Sequence, residues 1–130
     1  SLIWCKFLRK AFDDFYGESS HIYELVTGVK LKPEKLKLAG ERINNLKKLF
    51  NIREGWVHKD DTLPERILNE ALPSGFVKGV GLNRRELHTM IASYYKARGW
   101  DKMGFISSDK IDDLELTDIV ESQDPTVQHR

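Results

Sequence analysis

One residue in this chain has reactive chemistry of its own: Cys5, the single cysteine among 130 residues. A thiolate is a nucleophile and a soft metal ligand. One cysteine forms no internal disulfide, and it cannot build an iron–sulfur cluster alone, because such clusters normally take four cysteine ligands. Set among Leu2, Ile3, Trp4 and Phe7, a lone thiol is most often an inert core residue. The four histidines, His21, His58, His88 and His129, are scattered without metal-site spacing. A zinc site needs three or four convergent ligands, so these read as structural or surface residues. Three carboxylate pairs stand at Asp13 and Asp14, Asp60 and Asp61, and Asp112 and Asp113. Adjacent helical residues point in different directions, so the pairs read as caps and solvated turns rather than acid/base dyads. Gly75, Gly79 and Gly81 lack the strand-to-helix context of a phosphate loop, and no nucleophile–base signature is present.

The elements that must position these groups are helical. Leu2, Ile3, Trp4, Phe7, Leu8, Ala11, Phe12 and Phe15 fall mostly at steps of three and four. They predict a first helix with a wide apolar face, ended by Gly17. Ser20 is the expected cap of a second helix carrying Ile22, Leu25 and Val26, stopped by Gly28. Pro33 and Glu34 suit the first turn of a third. Its predicted apolar stripe is Leu36, Ala39, Ile43, Leu46 and Phe50, with Lys35, Lys37, Glu41, Lys47 and Lys48 on the solvated face. Gly40 costs about 1 kcal/mol against Ala inside a helix, and a close helix–helix approach is the expected reason for it.

A polar turn follows at His58–Asp61. Thr62 with Glu65 reads as a capping box, opening a helix with Ile67, Leu68 and Leu72. A Gly/Pro/Ser loop runs from Pro73 to Gly81. Asn83 with Glu86 repeats the box, and Leu87, Met90, Ile91, Tyr94 and Tyr95 give the next face, with Gly99 as its left-handed terminator. A short helix around Lys110 to Leu114 is expected after Ser108. No segment shows sustained strand alternation. The predicted fold class is all-α, with about five or six helices by cap and period. The expected domain spans 1–117, followed by a frayed polar tail over 118–130.

Charge and composition narrow the function classes. The sequence has 40% hydrophobic and 32% charged residues, which fits a folded domain. Its 21 basic and 20 acidic residues interleave to a net charge of +1. That excludes the strong basic excess of a dedicated nucleic-acid binder. No run reaches the apolar length of a membrane span, no signal peptide is evident, and the lone cysteine suits a reducing, cytoplasmic setting. The chain opens without Met on Leu2, Ile3 and Trp4, an apolar start expected of a piece of a longer protein.

The stretch from Leu38 to Leu68, LAGERINNLKKLFNIREGWVHKDDTLPERIL, resembles the C-terminal signature of the aldehyde ferredoxin oxidoreductase family. The matching residues are Gly40 to Ile43, Asn45 and Leu46, Leu49 to Asn51, Arg53 to Gly55, Asp60 and Asp61, and Leu63 to Arg66. Later pieces agree: Leu72 and Pro73, then Tyr94, Tyr95, Arg98, Gly99, Trp100 and Asp101, then Gly104, Lys110 and Leu114. The resemblance runs to about Leu116. At the start, Cys5 falls on the cysteine of the family's Asp-x-x-Gly-x-Cys motif. The motif's Asp would precede Ser1, and Ile3 stands at its Gly.

The resemblance implies a [4Fe-4S] cluster with Cys5 as one ligand. It also implies a tungsten or molybdenum bis-pterin against the segment holding Ile3, Trp4 and Cys5. The implied activity is oxidation of a small aldehyde to a carboxylic acid, with electrons passing through the cluster to ferredoxin. The other cluster cysteines and the acid/base residues would lie in upstream domains, so the chain alone is expected to be inactive. Two alternatives stand beside this: a helical interaction domain without cofactor, and a family member with another substrate, such as an aromatic acyl-CoA reductase subunit. Apolar faces are expected where upstream domains would sit, Trp4, Phe7 and Leu8 first, with a second copy (a homo-oligomer) as another cover. Arg53, Glu54, His58, Asp60, Asp61 and Arg66 read as caps, a polar turn and ion pairs. The other reading of that turn is a wall of the substrate channel or pterin pocket.

Overall fold

The computed structural model describes residues 5–121. Among them are six α-helices, two 3-10 turns and no strand beyond an isolated bridge, so the chain is all-α as its periodicity predicts. It divides into two compact units, one ending at Leu46 and one starting at Lys47.

The first unit opens with a 3-10 turn, η1 (Lys6–Ala11), followed by α1 (Phe15–Thr27). Gly17, expected to end a helix, instead sits in the first turn of one. Asp14 caps α1 by accepting from the Gly17 amide at 3.1 Å, and Glu18 Oε1 reaches back to the amides of Asp13 and Asp14. A Cβ at position 17 would lie 2.0 Å from Asp14 Oδ2, so a larger residue there would oblige the capping carboxylate to shift. Ser20 is no cap either: it lies inside α1 and is buried beside Ser19. Gly28 does stop the helix, left-handed at φ 72°.

The helix α2 (Pro33–Arg53) starts at its proline as expected and carries the unit boundary. Lys35, Lys37 and Lys47 are exposed as expected, but Lys48 and much of the predicted apolar stripe are not placed as the sequence suggests. Ile43, Leu46 and Phe50 are 46%, 36% and 50% exposed, whereas Asn45 and Lys48 are buried. At 100° per residue, Asn45 and Lys48 lie on nearly the opposite face from the apolar stripe. Both polar groups are satisfied, which is what permits their burial: Asn45 Nδ2 donates to the Glu41 carbonyl at 2.9 Å, and Lys48 meets the aromatic cluster described below. A Cβ on Gly40 would meet nothing within 4 Å, so no close helix approach accounts for that glycine.

The second unit holds η2 (His58–Asp60), α3 (Glu65–Asn69), α4 (Arg84–Arg98), α5 (Ser108–Asp113) and α6 (Thr117–Glu121). Its buried apolar residues are Leu68, Leu87, Tyr95, Leu114 and Leu116. The Thr62–Glu65 capping box does not form. The residue before a proline is pushed to extended backbone, so Leu63 cannot enter the helix, and α3 begins after Pro64. Thr62 donates to the Leu63 carbonyl, and Glu65 turns to Arg84 and Asn69. The Asn83–Glu86 box does form, in both directions, and Gly99 ends α4 at φ 67°. Ser107 rather than Ser108 caps α5. Trp100 and Ile106 form an antiparallel bridge across a turn. Asp101 holds that turn by accepting from the amides of Met103 and Phe105.

Candidate functional site

Cys5 lies at the cap position of η1, exposed and not disulfide-bonded. That overturns the residue-level expectation of a core thiol and leaves the sulfur open to a ligand. Ile3 and Trp4, expected beside it at the cofactor, lie outside the described residues. Among the described residues, no group of three His, Cys, Asp or Glu side chains could hold a metal. His129 is also outside them, while His21 and His88 are exposed surface residues.

A second centre, which sequence reasoning missed, gathers in the second unit. The end of α2 places Lys48, the following turn supplies Trp56, His58 and Asp61, and the end of α4 supplies Tyr95, with Trp100 just beyond. The Lys48 ammonium lies 2.8 Å from the centroid of the Trp56 ring, 4.9 Å from that of Trp100 and 5.6 Å from that of Tyr95. Its carboxylate partner is Asp61, at 3.8 Å. Asp61 accepts from Trp56 Nε1 at 3.0 Å and from the Tyr95 hydroxyl at 2.5 Å. The Tyr95 oxygen also meets His58 Nδ1 at 3.3 Å.

The electrostatics follow from that enclosure. Burial lowers the Lys48 pKa below the ordinary lysine value, and Asp61 opposes the shift. Burial, then the bond to Asp61 and its charge, push the Tyr95 phenol above its usual range. The phenol donates to Asp61, and the ammonium is walled off by rings. Charge held over an aromatic face is stabilised by the ring quadrupole. These residues fasten the 56–61 turn between α2 and α4.

Gly104 completes the fit. Its backbone is left-handed at φ +80°, and a Cβ at this position would stand 2.7 Å from Tyr95 Cζ and 2.8 Å from Trp56 Cη2. Asp60 and the flanking arginines match the plainer expectation. Asp60 accepts from the Val57 amide at 2.9 Å, Arg53 pairs with Glu54 and Arg66 with Glu70. Asp61 matches it too, pairing with Lys48 of α2, and His58 adds a contact to the Tyr95 hydroxyl. A weak signal for Lys48 existed in its helical step from Asn45, which marks a second face of α2; nothing local pointed to Tyr95 as the partner.

The model of the family "aldehyde ferredoxin oxidoreductase, domains 2 & 3" matches residues 1–116. The chain belongs to the aldehyde ferredoxin oxidoreductase family. It is 41% identical over 80 residues to a tungsten-containing aldehyde ferredoxin oxidoreductase of Pyrococcus furiosus, which covers 61% of this chain and 13% of that protein. The counterpart in Pyrococcus abyssi is 42% identical over 82 residues, 62% of this chain and 13% of the relative. An aliphatic sulfonate oxidoreductase, WOR-like subunit, of Pyrococcus furiosus is 33% identical over 97 residues, 70% of this chain and 15% of the relative. The chain thus matches only about an eighth of the length of these tungsten enzymes.

Proposed function

We propose that this chain is the helical, cluster-bearing part of a tungsten- or molybdenum-pterin aldehyde:ferredoxin oxidoreductase. In this reading Cys5 is one ligand of a [4Fe-4S] cluster, with Ile3 and Trp4 beside the pterin. The observation that carries it is the family match across residues 1–116, which starts ahead of Cys5. The exposed, unpaired thiol supports it, since a cluster ligand must face a group held jointly with other cysteines.

The donor set fits in part: this chain offers one soft thiolate, and three further ligands belong to other segments. When bound, the metal–pterin centre supplies the oxygen-transfer and electron chemistry, while protein supplies position and electrostatics. Cys5 would anchor one iron from the residue that precedes η1. The Lys48–Asp61–Tyr95 cluster fastens elements of the second unit. Ferredoxin as electron acceptor, upstream domains of the same enzyme, a small aldehyde as substrate and a cytoplasmic setting belong to the same proposal. No helix among the described residues is long and apolar enough to cross a membrane.

Metal analysis of the full-length natural protein, purified without oxygen, tests this. Tungsten or molybdenum with cluster-level iron is expected, and Cys5→Ser should lose iron. An intact protein without these metals overturns the reading, as does aldehyde turnover by the 130-residue chain alone. The similarity to the aliphatic sulfonate oxidoreductase subunit favours a second reading, with the same cofactors acting on a different substrate class. Comparing aldehydes with aliphatic sulfonates as reductants of the full-length protein separates the two.

A further inference from the structure

The second unit holds a path of electron-rich rings that the aldehyde chemistry does not use. Tyr94 and Tyr95 are neighbours on α4 and leave it about 100° apart. Trp100, just past the helix, bridges them: its ring centroid is 5.6 Å from that of Tyr94 and 5.9 Å from that of Tyr95. Both separations are those of rings in contact. Tyr94 is 47% exposed and Tyr95 2%, so the three rings lead from solvent to the interior.

A ring that gives up an electron turns positive, and the polar groups beside it decide how long the charge can stay. The Tyr94 oxygen accepts from Arg98 Nε at 3.1 Å, and the Arg98 guanidinium stands 5.2 Å from the centroid of that ring. The Lys48 ammonium faces Trp100 at 4.9 Å and Trp56 at 2.8 Å. A cation drawn to a neutral ring repels the same ring once it is oxidised. Arg98 and Lys48 therefore oppose a lasting electron vacancy on Tyr94, Trp100 or Trp56. Tyr95 also has Lys48 at 5.6 Å, but it can shed the charge. Its hydroxyl donates to Asp61 Oδ2 at 2.5 Å, the length of a charge-assisted bond. An oxidised phenol is a strong acid, so its proton passes to that carboxylate and the ring is left neutral. Trp56 shares Asp61 through Nε1 at 3.0 Å, and the ammonium against its ring is what sets it apart from Tyr95.

We propose that Tyr94, Trp100 and Tyr95 form an oxidant sink, which takes oxidising equivalents from small inorganic radicals at the surface and holds them on Tyr95. The oxidant removes one electron from Tyr94 or Trp100 and is itself reduced by one electron. The oxidised ring recovers its electron from Tyr95, directly from Trp100 or by way of it. As that electron leaves, the Tyr95 O–H bond breaks and the proton moves to Asp61 Oδ2. The products are a neutral Tyr95 phenoxyl radical, a protonated Asp61 and the reduced oxidant. Burial keeps the phenoxyl ring from coupling with a second radical in solvent. The sink uses neither Cys5 nor a bound cofactor, so it stands independently of the cluster assignment.

The test is electron paramagnetic resonance on the full-length protein, frozen just after a flash that generates tris(bipyridine)ruthenium(III) as the one-electron oxidant. A tyrosyl signal is expected, and growth on ring-deuterated tyrosine should narrow it. Tyr95→Phe should lower that signal several-fold and leave a tryptophan radical at Trp100 in its place. Trp100→Phe should slow the appearance of the Tyr95 radical several-fold, because the bridge is gone. Asp61→Asn keeps a hydrogen-bond acceptor but removes the base, and it should also lower the yield several-fold. These substitutions nearly preserve side-chain volume, and an unchanged far-ultraviolet spectrum would show that each variant folds. A tyrosyl signal undiminished in Tyr95→Phe overturns the proposal. So does a Tyr95 radical that forms as fast without Trp100, or one whose yield ignores Asp61→Asn. Metal content is not read in this experiment, so its failure leaves the cofactor assignment where it stands.

Discussion

The Lys48 ammonium sits 2.8 Å from the centroid of the Trp56 indole, in a helix whose apolar stripe faces outward. A lysine from the face expected to be solvated is thus a buried anchor, and its ring partners and Asp61 come from other elements. The family's Arg-Glu-Gly to Asp-Asp-x-Leu-Pro segment, matched here from Arg53 to Arg66, is folded around that anchor. The two hydrogen bonds reaching Asp61 from Trp56 and Tyr95 close the turn.

Stability at alkaline pH should report both ends of this cluster. The Tyr95 phenol is held protonated in the fold. Below about pH 10 both folded and unfolded chains keep that proton; above it the unfolded chain ionises first, and stability is lost as the pH rises. Lys48 acts in the other direction. Its lowered pKa means that holding the charge costs stability at neutral pH. That cost is relieved as the pH climbs through the folded value toward about 10.4. Urea midpoints measured from about pH 8 to about pH 11 should rise and then fall. Tyr95→Phe should remove the fall and cost about 1–2 kcal/mol at neutral pH; Lys48→Met should remove the rise. A Tyr95→Phe curve parallel to the parent above about pH 10 would discard this account of Tyr95.

Two glycines should respond oppositely to alanine. At Gly104 the left-handed backbone and the contacts with Tyr95 and Trp56 act together. Gly104→Ala should therefore lose at least about 2 kcal/mol, from strain and overpacking. Gly40 lies inside α2 with open space where a Cβ would be. Gly40→Ala should gain up to about 1 kcal/mol in this chain. Thermal denaturation of the two variants decides it; a loss at Gly40 would reveal a partner surface pressed against that face of the helix.

The reciprocal Asn83–Glu86 box satisfies amides at the start of α4. Asn83→Ala should cost about 1 kcal/mol and Asn83→Ser much less. Hydrogen exchange should show the loss as faster exchange at the Glu86 amide. Unchanged exchange there would mean that packing, rather than the cap, sets the end of the helix.

Cys5 should be chemically accessible in the isolated chain and protected once it holds iron. A maleimide should label it in the 130-residue chain at the rate of an unhindered thiol. The iron-loaded full-length protein should resist labelling at that position until the iron is chelated. Equal labelling with and without iron would remove Cys5 from the ligand set.

Local chemistry was legible in the sequence wherever it is self-contained. Pro33 opening α2, Gly28 and Gly99 ending helices, and the Asn83–Glu86 box all follow from interactions within a few residues, as does the all-α class. The family signature was legible as well, because it is a matter of residue identity in order. The Thr62–Glu65 box failed because Pro64 overrules a cap that otherwise fits. Gly17 was misread because a terminating glycine is left-handed, whereas Gly17 is not and gives its amide to the Asp14 cap.

The buried face of α2 was decided by tertiary structure alone. Periodicity marks Ile43, Leu46 and Phe50 as the inner stripe, since it weighs hydrophobicity without knowing what each face will meet. Burying a cation depends on finding a carboxylate and aromatic faces on other elements. For Lys48 those are Asp61, Trp56, Tyr95 and Trp100, and only the folded chain brings them to one place.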